Sequence, residues 1–469
     1  MDITKAHFIG IAGKGMSAVA LLLREAGVEI TGSDEGFYPP VSVYLTEANI
    51  PFHNGYKKEN IPSDADVIVI GKNAKLVPES NEEVAAAFAS GKKVLSFPDV
   101  LHELTLHTDN IVVAGSYGKS TSTALLAWCL LHAGKDPSYF IGEITKGLEA
   151  HAHKGTGEVF VLEGDEYPSA NWDENSKFLH YNPHTVLLTS ATHDHVNVYP
   201  THESYLAPFK KLISILPQSG LLVVNANETH ALALSAAYAG KVVTYGNVEP
   251  AEWYPHNIVY GMPSTFDLMH QGTKIISLTT PLLGAHNIEN IVGISAVLLE
   301  KGLLTSEELA KGIMSFEGVR RRMEYLSPRS SVAVYEGFGS SYEKAKAAVA
   351  AMKLHFPNRR LTVVFEPHTF TWRNKASLHQ YDDVFLGADH VFIFSPPHDG
   401  KETQLGAEEI ANRVSAHGTP AVAVDTPEAM LNIFEKELKA NDAVLLSSSG
   451  AMGGLIESIP ALAEQKFPK

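Results

Sequence analysis

Short apolar, β-branched runs alternate along the chain with longer runs of helical periodicity. The first apolar run, "HFIGIAG", predicts a strand, "GKGMS" a turn and "AVALLLREAG" a helix that ends at Gly27. The next run, "VEITGSD", predicts a second strand. A strand, a glycine turn, a helix and a strand in this order predict the start of a doubly wound α/β unit.

The same succession of strand and glycine turn begins twice more. After a short helical segment, "IVVAG" runs into a new glycine loop, and after "SFEGVRRRMEYL" the run "SVAVYEGFG" starts a third series of strands. A single hydrophobic core stops growing beyond about 250–300 residues, and the chain has 469. We therefore predict three α/β domains, at residues 1–107, 108–315 and 316–469.

The composition adds exclusions. With 45% apolar and 19% charged residues, the chain is typical of a soluble globular protein, and it shows no signal peptide or membrane-spanning run, so we expect a cytoplasmic protein. The formal charge of −16 argues against nucleic acids and anionic membranes as partners. The single cysteine, Cys129, lies in an apolar helical run and is interpreted as a buried structural thiol.

The first glycine turn contains Gly10, Gly13 and Gly15, and Asp34 follows the second strand. Glycines at this spacing bind dinucleotides, bind other nucleotides or simply form a tight turn. The residues alone leave these three interpretations open.

The second glycine loop, "GSYGKST", follows a strand and precedes a helix. In this setting backbone N–H groups hold phosphate oxygens, Lys119 reaches the β- and γ-phosphates, and the Ser120 hydroxyl is a magnesium ligand. The alternative is a glycine turn with a surface lysine.

Acidic residues follow the next apolar strand, at Glu163, Asp165 and Glu166. Because magnesium prefers oxygen ligands, we interpret them as a metal or substrate site. Further along, "HDH" at residues 193–195 also follows a strand. Zinc is the weaker interpretation there, since no matching ligand pair with tight spacing occurs.

Two other groups have a structural and a functional interpretation. His286, Asn287 and Asn290 stand at the start of a predicted helix, where an asparagine binds a base or caps the helix. Three arginines at residues 320–322 form a solvated face or contact an anion at a domain junction.

These motifs occur together and in this order in one family, and the sequence resembles the Mur ligases over essentially its whole length. The family's G-T-H-G-K-T-T loop is matched by residues 115–121, its E-A-D-E by residues 163–166, and its D-H by Asp194 and His195. Its H-N-x-x-N is matched by residues 286–290 and its interdomain arginine by Arg322.

The resemblance implies a Rossmann-like N-terminal domain, a central P-loop ATPase domain and a Rossmann-like C-terminal domain. It further implies ATP and Mg²⁺ as cofactors and an amide bond formed through an acyl phosphate. A UDP-linked amino sugar and an amino acid or peptide are the implied substrates, bound by a monomer or homodimer, with no nicotinamide.

Residue roles are carried over from the family motif by motif. The implied catalytic residues are Lys119, His195 and Glu163, and the implied metal ligands are Ser120, Glu163 and His195. The implied ATP-binding residues are Gly115, Ser116, Tyr117, Gly118, Lys119, Ser120, Thr121, Asn287, Asn290 and Arg322. The implied UDP-binding residues are Gly13, Lys14, Gly15, Met16, Ser17, Asp34 and Asn73, and those on the amine side are Ser340, Ser341, His368 and Arg373.

The sequence departs from the family pattern at several positions. Tyr117 replaces a histidine and Ser120 a threonine in the loop, and Ser190 and Thr192 replace an asparagine and a glutamate before Asp194. In the third domain, "EGFGSSYE" replaces D-D-Y-G-H-H-P-T, so that Gly337 replaces an aspartate and two serines replace both histidines. We therefore expect an intact ATPase core and an altered amine site.

Two branches of the family match different segments. "DEYPSANWDENSKFLHYNPHT" favours the branch that adds L-alanyl-γ-D-glutamyl-meso-diaminopimelate to UDP-N-acetylmuramate, whereas "FEPHTFTWR" is more like the branch that adds L-alanine. The tripeptide branch is the favoured prediction. A different amine, nucleotide binding without ligation, and a carbamylated Lys210 are the other hypotheses, and the "GKS" loop argues against a nicotinamide dehydrogenase.

Overall fold

The computed structural model describes residues 3–38, 41–148, 150–195, 198–247, 249–395 and 404–469. Within them the chain forms three β-sheets in succession, each with flanking helices. No helix in these described ranges is long and apolar enough to cross a membrane.

The first sheet is wholly parallel, in the order β3-β2-β1-β4-β5. Its apolar strands are buried, as expected for parallel strands covered by helices on both faces. The strands are β1 (Lys5–Ile9), β2 (Glu29–Asp34), β3 (Phe52–Asn54), β4 (Val67–Ile70) and β5 (Lys93–Leu95). The helices are α1 (Lys14–Glu25), α2 (Val41–Glu47), α3 (Glu82–Ala89) and α4 (Phe97–Leu104), with a 3₁₀ turn at Lys58–Asn60.

The first turn differs in detail from the prediction. The stretch "GKGMS", expected as a turn, is mostly helical, because α1 begins at Lys14 with Gly13 as its N-cap. The tight turn lies earlier, at Gly10, whose φ of 86° is readily adopted only by glycine. Lys14, Gly15 and Met16 are the first three helical residues, where backbone N–H groups have no intrahelical partners, and the Ser17 N–H donates to the Gly13 carbonyl at 2.8 Å.

The second sheet has the order β15-β14-β13-β12-β11-β10-β6-β9-β7-β8. Its first part is β6 (Asp109–Ala114), α5 (Lys119–His132), β7 (Ser138–Phe140), β8 (Ala152–His153), β9 (Val159–Gly164), a 3₁₀ turn at Lys177–His180, β10 (Thr185–Leu188) and α6 (His202–Ile215). Its second part is β11 (Leu221–Asn225), α7 (Thr229–Ser235), β12 (Lys241–Tyr245), β13 (Trp253–Val259), β14 (Ser264–His270), β15 (Thr273–Thr280), α8 (Ala285–Glu300) and α9 (Ser306–Ser315).

The third sheet has the order β16-β17-β21-β18-β19-β20 and is parallel except for its edge strand β16. Its strands are β16 (Arg322–Tyr325), β17 (Ala333–Gly337), β18 (Leu361–Phe365), β19 (His390–Phe394), β20 (Ala421–Val424) and β21 (Ala443–Ser447). Its helices are α10 (Tyr342–His355), α11 (Phe370–Arg373), α12 (Ala407–Ala416), α13 (Pro427–Glu437) and α14 (Leu455–Lys466), with 3₁₀ turns at Lys375–Tyr381 and Met452–Gly454.

The chain divides into two compact units. Unit 1 comprises Met1–Asn257, Phe266–Leu278 and Glu289–Phe316, and therefore contains the first sheet and most of the second. Unit 2 comprises Ile258–Thr265, Thr279–Ile288 and Glu317–Lys469, and contains the third sheet. Cys129 is buried on α5 in unit 1, where burial raises the pKa of its thiol.

Candidate active site

The loop between β6 and α5 has the geometry of a phosphate-binding turn. Gly115 and Gly118 have φ values of 144° and 83°, which disfavour any residue with a side chain. A Cβ on Gly115 would also lie 2.8 Å from Ser190 N, so the loop packs tightly against the residues after β10. Lys119 and Ser120 follow at once on the first turn of α5, where N–H groups favour anions.

The Lys119 side chain is held by the loop and by an acidic residue. Its ammonium donates to the Gly115 carbonyl and lies 3.0 Å from Glu166 Oε2. Burial opposes the charged form, but the carboxylates of Glu166, Asp165 and Glu163 outweigh it and raise the pKa of Lys119. The lysine therefore stays cationic, as an electrophilic partner for phosphate must.

Glu166 contacts predicted catalytic residues and also tyrosines that the sequence did not indicate. Its Oε1 lies 3.2 Å from His195 Nε2 and 3.2 Å from the Tyr205 hydroxyl, while its carbonyl accepts a hydrogen bond from Tyr199. Burial would raise the pKa of this fully buried carboxyl, yet Lys119 and His195 hold that pKa well below its ordinary value. Glu166 is thus an anion that fixes the positions of two sequence-predicted catalytic groups.

Ser120 and Glu163 provide neighbouring oxygen donors. The Ser120 hydroxyl donates to Glu163 Oε1 at 2.7 Å, and the Gly142 N–H donates to Glu163 Oε2 at 2.6 Å. Burial is the main cause that raises the pKa of Glu163. In an octahedron with metal–oxygen bonds of about 2.0–2.1 Å, adjacent ligand oxygens lie about 2.9 Å apart, so this pair fits Mg²⁺.

His195, the third predicted metal ligand, contacts Tyr167, Asp194 and Glu166. Its Nδ1 is 2.9 Å from the Tyr167 hydroxyl, and its backbone N–H donates to Asp194 Oδ1 at 2.7 Å. Its φ of 55° is in the left-handed region, so the local backbone is constrained. The sequence-predicted metal ligands Ser120 and Glu163 touch each other, whereas His195 touches Glu166.

Tyr117, the residue that departs from the family loop, is fixed at three points. Its hydroxyl donates to Glu228, which also accepts from the Thr192 hydroxyl at 3.1 Å. Its N–H donates to Ser190 Oγ at 3.0 Å, and its carbonyl accepts from Thr189 Oγ1 at 2.5 Å. The departures at positions 117, 190 and 192 therefore lie together. Ser116, next to it, donates to the Thr192 carbonyl at 2.5 Å.

The remaining ATP candidates divide between the two units. In unit 1, a Cβ on Gly118 would lie 2.7 Å from Asn290 Oδ1, which places this amide beside the loop. In unit 2, Asn287 Nδ2 donates to the Leu283 carbonyl at 2.8 Å, and the Arg322 guanidinium lies 4.4 Å from the centre of the Phe338 ring. Thr121 is the third residue of α5.

The N-terminal glycine turn is closed by Asp34, whose carboxylate accepts from Ala12 N at 2.9 Å and from the Tyr56 hydroxyl at 3.0 Å. Asn73 lies exposed on the segment after β4, and its carbonyl accepts from Asn171 Nδ2 at 2.8 Å. Met16 is buried beneath the turn, near Gly13 and Gly71.

Glu143 and His151, which lie between β7 and β8, contact the same turn. Lys14 Nζ lies 3.0 Å from Glu143 Oε2, and His151 Nε2 lies 3.2 Å from the Lys14 carbonyl and 3.4 Å from Ser17 Oγ. Burial lowers the pKa of His151. Unit 1 thus joins the proposed UDP-binding turn to the segment that carries the acidic motif.

The candidate amine-side residues lie on the segments that follow β17 and β18 in unit 2. The Thr369 hydroxyl donates to the Ser340 carbonyl at 3.2 Å, and His368 Nδ1 lies 3.4 Å from Ser449 Oγ. Ser341 precedes α10 as its N-cap, and Arg373 ends α11, where its carbonyl accepts from Leu405 N at 2.7 Å.

Two buried glutamates lie at the same strand ends of unit 2. Glu336 accepts from Arg321 Nε at 2.7 Å, and Glu366 accepts from the Ser448 hydroxyl. The middle arginine of the 320–322 run therefore makes an ion pair, which the sequence did not single out.

Lys210 is exposed on α6, whereas the side of that helix directed at Ser116 and Glu166 carries Tyr205. This exposure argues against the hypothesis of a carbamylated Lys210 that reaches the metal site.

Three family models match the chain in succession. They are "Mur ligase family, catalytic domain" at residues 5–108, "Mur ligase middle domain" at 113–298 and "Mur ligase, glutamate ligase domain" at 321–450. An Arthrobacter UDP-N-acetylmuramate–L-alanine ligase is 31% identical over 92% of this chain and 90% of its own length. The chain belongs to the Mur ligase family.

Other relatives of this Mur ligase come from both branches. The UDP-N-acetylmuramate–L-alanyl-γ-D-glutamyl-meso-2,6-diaminoheptandioate ligase of Haemophilus influenzae is 29% identical over 97% of this chain and 98% of its own. The crystal structure of UDP-N-acetylmuramate–alanine ligase from Thermotoga maritima shares the fold, with a TM-score of 0.77, 24% identity and 97% coverage of both chains.

As a Mur ligase, the chain is an ATP-dependent enzyme that forms amide bonds, and its predicted three-domain α/β fold is confirmed. Sequence reasoning missed several residues of this Mur ligase that contact the predicted site. They are Glu143, His151, Tyr167, Tyr205 and Glu228. Only Tyr167 carried a signal, since it directly follows the acidic motif.

Proposed function

We propose that the enzyme joins the carboxylate of a UDP-N-acetylmuramate-type substrate to the amine of an amino acid or peptide, with the tripeptide L-alanyl-γ-D-glutamyl-meso-diaminopimelate as the favoured acceptor. The observation that carries this proposal is the contact set of Lys119, Glu166, Ser120 and Glu163 behind the glycine loop. It supplies charge neutralisation and positioning, which are what phosphoryl transfer demands of a protein.

The reaction has two steps. A carboxylate oxygen of the sugar substrate attacks the γ-phosphorus of ATP, and the bond from that phosphorus to the β-γ bridging oxygen breaks. This step forms an acyl phosphate and releases ADP. The amine nitrogen then attacks the acyl carbon, the carbon–oxygen bond to phosphate breaks, and the nitrogen loses a proton. The products are an amide, ADP and inorganic phosphate.

Each residue has a defined task in this scheme. Lys119, kept cationic by Glu166, neutralises the charge that develops on the γ-phosphate oxygens. Ser120 and Glu163 would hold Mg²⁺, which supplies further neutralisation of the phosphates when bound. His195 and Tyr167 orient the reacting groups from the opposite side of Glu166.

The substrate roles of the other residues follow the resemblance. Gly13, Lys14, Gly15, Met16, Ser17, Asp34 and Asn73 would bind the UDP part, and Asn287, Asn290 and Arg322 the nucleotide. Ser340, Ser341, His368 and Arg373 would lie beside the amine. Support for Lys14, Gly15 and Met16 comes from their position at the start of α1, where N–H groups without intrahelical partners suit a diphosphate.

The proposal is tested by ADP release with ATP, Mg²⁺ and UDP-N-acetylmuramate against a panel of amines that includes L-alanine and the tripeptide. Turnover that requires an amine supports ligation, and the preferred amine decides between the two branches. Binding of the nucleotide and the UDP-sugar with no turnover for any amine would favour the alternative, a binding protein that has lost ligation through the altered "EGFGSSYE" segment.

A further inference from the structure

Lys177 is a cation next to the acidic motif of the proposed active site. It opens the 3₁₀ turn Lys177–His180, and its ammonium donates to Asp165 Oδ2 at 2.5 Å. Its side chain is 18% exposed, so the charge is partly removed from water but still reachable from it. An ammonium has three N–H donors, and the bond to Asp165 uses one of them.

Lys177 lies near an aromatic residue of the first sheet's segment, Phe97, and near one that follows the acidic motif, Tyr167. Its Nζ lies 5.5 Å from the centre of the Phe97 ring and 5.7 Å from that of the Tyr167 ring. Phe97 packs under the N-terminal turn, since a Cβ on Gly15 would lie 3.0 Å from its Cζ. Tyr167 in turn contacts His195. The ammonium therefore lies between the turn proposed for UDP and the groups proposed for phosphoryl transfer.

A second lysine is close to this position. Lys72 lies on the segment after β4, and its pKa is lowered by burial first and by the positive charge of Lys177 second. Asp165, Asp173 and Glu174 oppose that lowering only partly. An anion bound near Lys177 would weaken this repulsion.

The proposed UDP-sugar substrate carries a carboxylate that would lie near Lys177. One end of this substrate is a nucleoside diphosphate, which would rest on the turn at Gly15, and its reacting carboxylate must reach the γ-phosphate beside Lys119. On this basis, which rests on the proposed function, we propose that Lys177 binds the carboxylate of the UDP-sugar substrate and selects for it.

Lys177 acts here by charge and hydrogen bonding and transfers no proton. Asp165 fixes the ammonium and uses one of its three N–H donors, which leaves two for the carboxylate. The bound carboxylate is then held for attack on phosphorus. Loss of Lys177 is therefore expected to weaken binding of substrates that carry the carboxylate and to leave binding of the UDP part unchanged.

A pair of ligands isolates the carboxylate. UDP-N-acetylmuramate and UDP-N-acetylglucosamine differ by the lactyl group that carries it, so the ratio of their dissociation constants, measured calorimetrically without ATP, reports its recognition. We expect Lys177→Met to weaken UDP-N-acetylmuramate binding by about 10- to 100-fold, the range of a hydrogen bond to a charged group, and UDP-N-acetylglucosamine binding by less than about twofold. Lys177→Arg should retain most of the discrimination.

The matched control is Lys93→Met, because Lys93 is 57% exposed at the start of β5, the strand end away from the glycine turn. Lys72→Met should reduce the preference for UDP-N-acetylmuramate over UDP-N-acetylglucosamine less than Lys177→Met does, since Lys72 is the more exposed. In steady-state assays, Lys177→Met should raise KM for the UDP-sugar more than it lowers kcat.

The outcomes separate this proposal from the proposed function. A Lys177→Met variant that binds UDP-N-acetylglucosamine normally and still discriminates as the wild type does would overturn the role of Lys177 alone. A wild-type enzyme that binds neither ligand, or binds both equally, would count against the UDP-muramate substrate itself. Retained UDP-N-acetylglucosamine binding also shows that the variant is folded.

Discussion

Lys119 and Glu166 form an ion pair at 3.0 Å, with the carboxylate fully buried and the ammonium side chain 13% exposed. The lysine stands on the glycine loop and the glutamate at the end of the acidic motif, so the pair joins the two motifs on which ATP use depends. A buried pair of this kind is sensitive to removal of one partner, because the other charge is then left uncompensated.

Replacement of Glu166 by glutamine tests this pair. The amide keeps the size of the side chain but removes the charge that holds Lys119 and His195, so we expect kcat for ADP release to fall on the order of 100-fold. Glu158→Gln, an exposed acid before β9, is the matched control and should leave kcat unchanged. Equal kcat values for the wild type and Glu166→Gln would contradict the assigned role.

Ser120 is expected to set the requirement for magnesium. Ser120→Ala removes one of the two touching oxygen donors, so the Mg²⁺ concentration that gives half-maximal activity should rise about tenfold. Ser120→Thr keeps the hydroxyl and should stay near the wild-type value. The prediction fails if the alanine and threonine variants show the same magnesium dependence.

Tyr117 and Glu228 are expected to act as one unit that fixes the loop. Tyr117→Phe removes the hydrogen bond between these side chains, and Glu228→Gln weakens it. A hydrogen bond contributes about 0.5–1.5 kcal/mol, so we expect KM for ATP to rise roughly 2- to 10-fold in each variant. The double variant should be little worse than either single variant. Fully multiplicative effects in this double-mutant cycle would show that the two side chains act independently.

Stability should fall in mild acid because of His286. Burial, with a smaller contribution from nearby His355, lowers the pKa of His286 from 6.5 to about 4. Between pH 6.5 and about 4, His286 is protonated in the unfolded chain and neutral in the folded chain. As the pH falls through this range, the free energy of unfolding decreases by up to about 1.4 kcal/mol per pH unit. Above pH 6.5 this destabilisation is absent.

His286→Gln removes the titrating group and supplies the comparison. The Tm of the variant should decline less than that of the wild type between pH 7.5 and 4.5, while the other histidines contribute equally to both. Parallel Tm curves would rule out His286 as a source of the acid sensitivity.

The sequence predicted well those features that depend on local signals. The strand before Gly115, the glycine loop and α5 each have a distinct pattern of residues, and the short distance between Ser120 and Glu163 follows from two strand ends on one edge of a parallel sheet. The strands β13, β14 and β15 were not predicted. A Gln271–Gly272 turn with φ values of 47° and 79° connects two of them, and its glutamine is a weak turn signal.

Contacts between distant segments could not be predicted in the same way. The resemblance implied Glu163 as a catalytic residue and metal ligand, and it gave no partner for Lys119. The structure pairs Lys119 with Glu166, and three residues of spacing do not show which carboxylate turns toward the loop. His151 and Glu228 contact the site from segments without any recognisable motif. Their roles depend on how separate elements pack, which one sequence does not encode locally.

The acyl-phosphate route is tested most directly by isotope transfer. UDP-N-acetylmuramate labelled with ¹⁸O in its carboxylate is incubated with ATP, Mg²⁺ and the amine that gives turnover, and the released inorganic phosphate is analysed by mass spectrometry. If the carboxylate attacks the γ-phosphorus, one ¹⁸O atom appears in phosphate for each amide formed, together with ADP. Unlabelled phosphate, or release of AMP in place of ADP, would contradict this route.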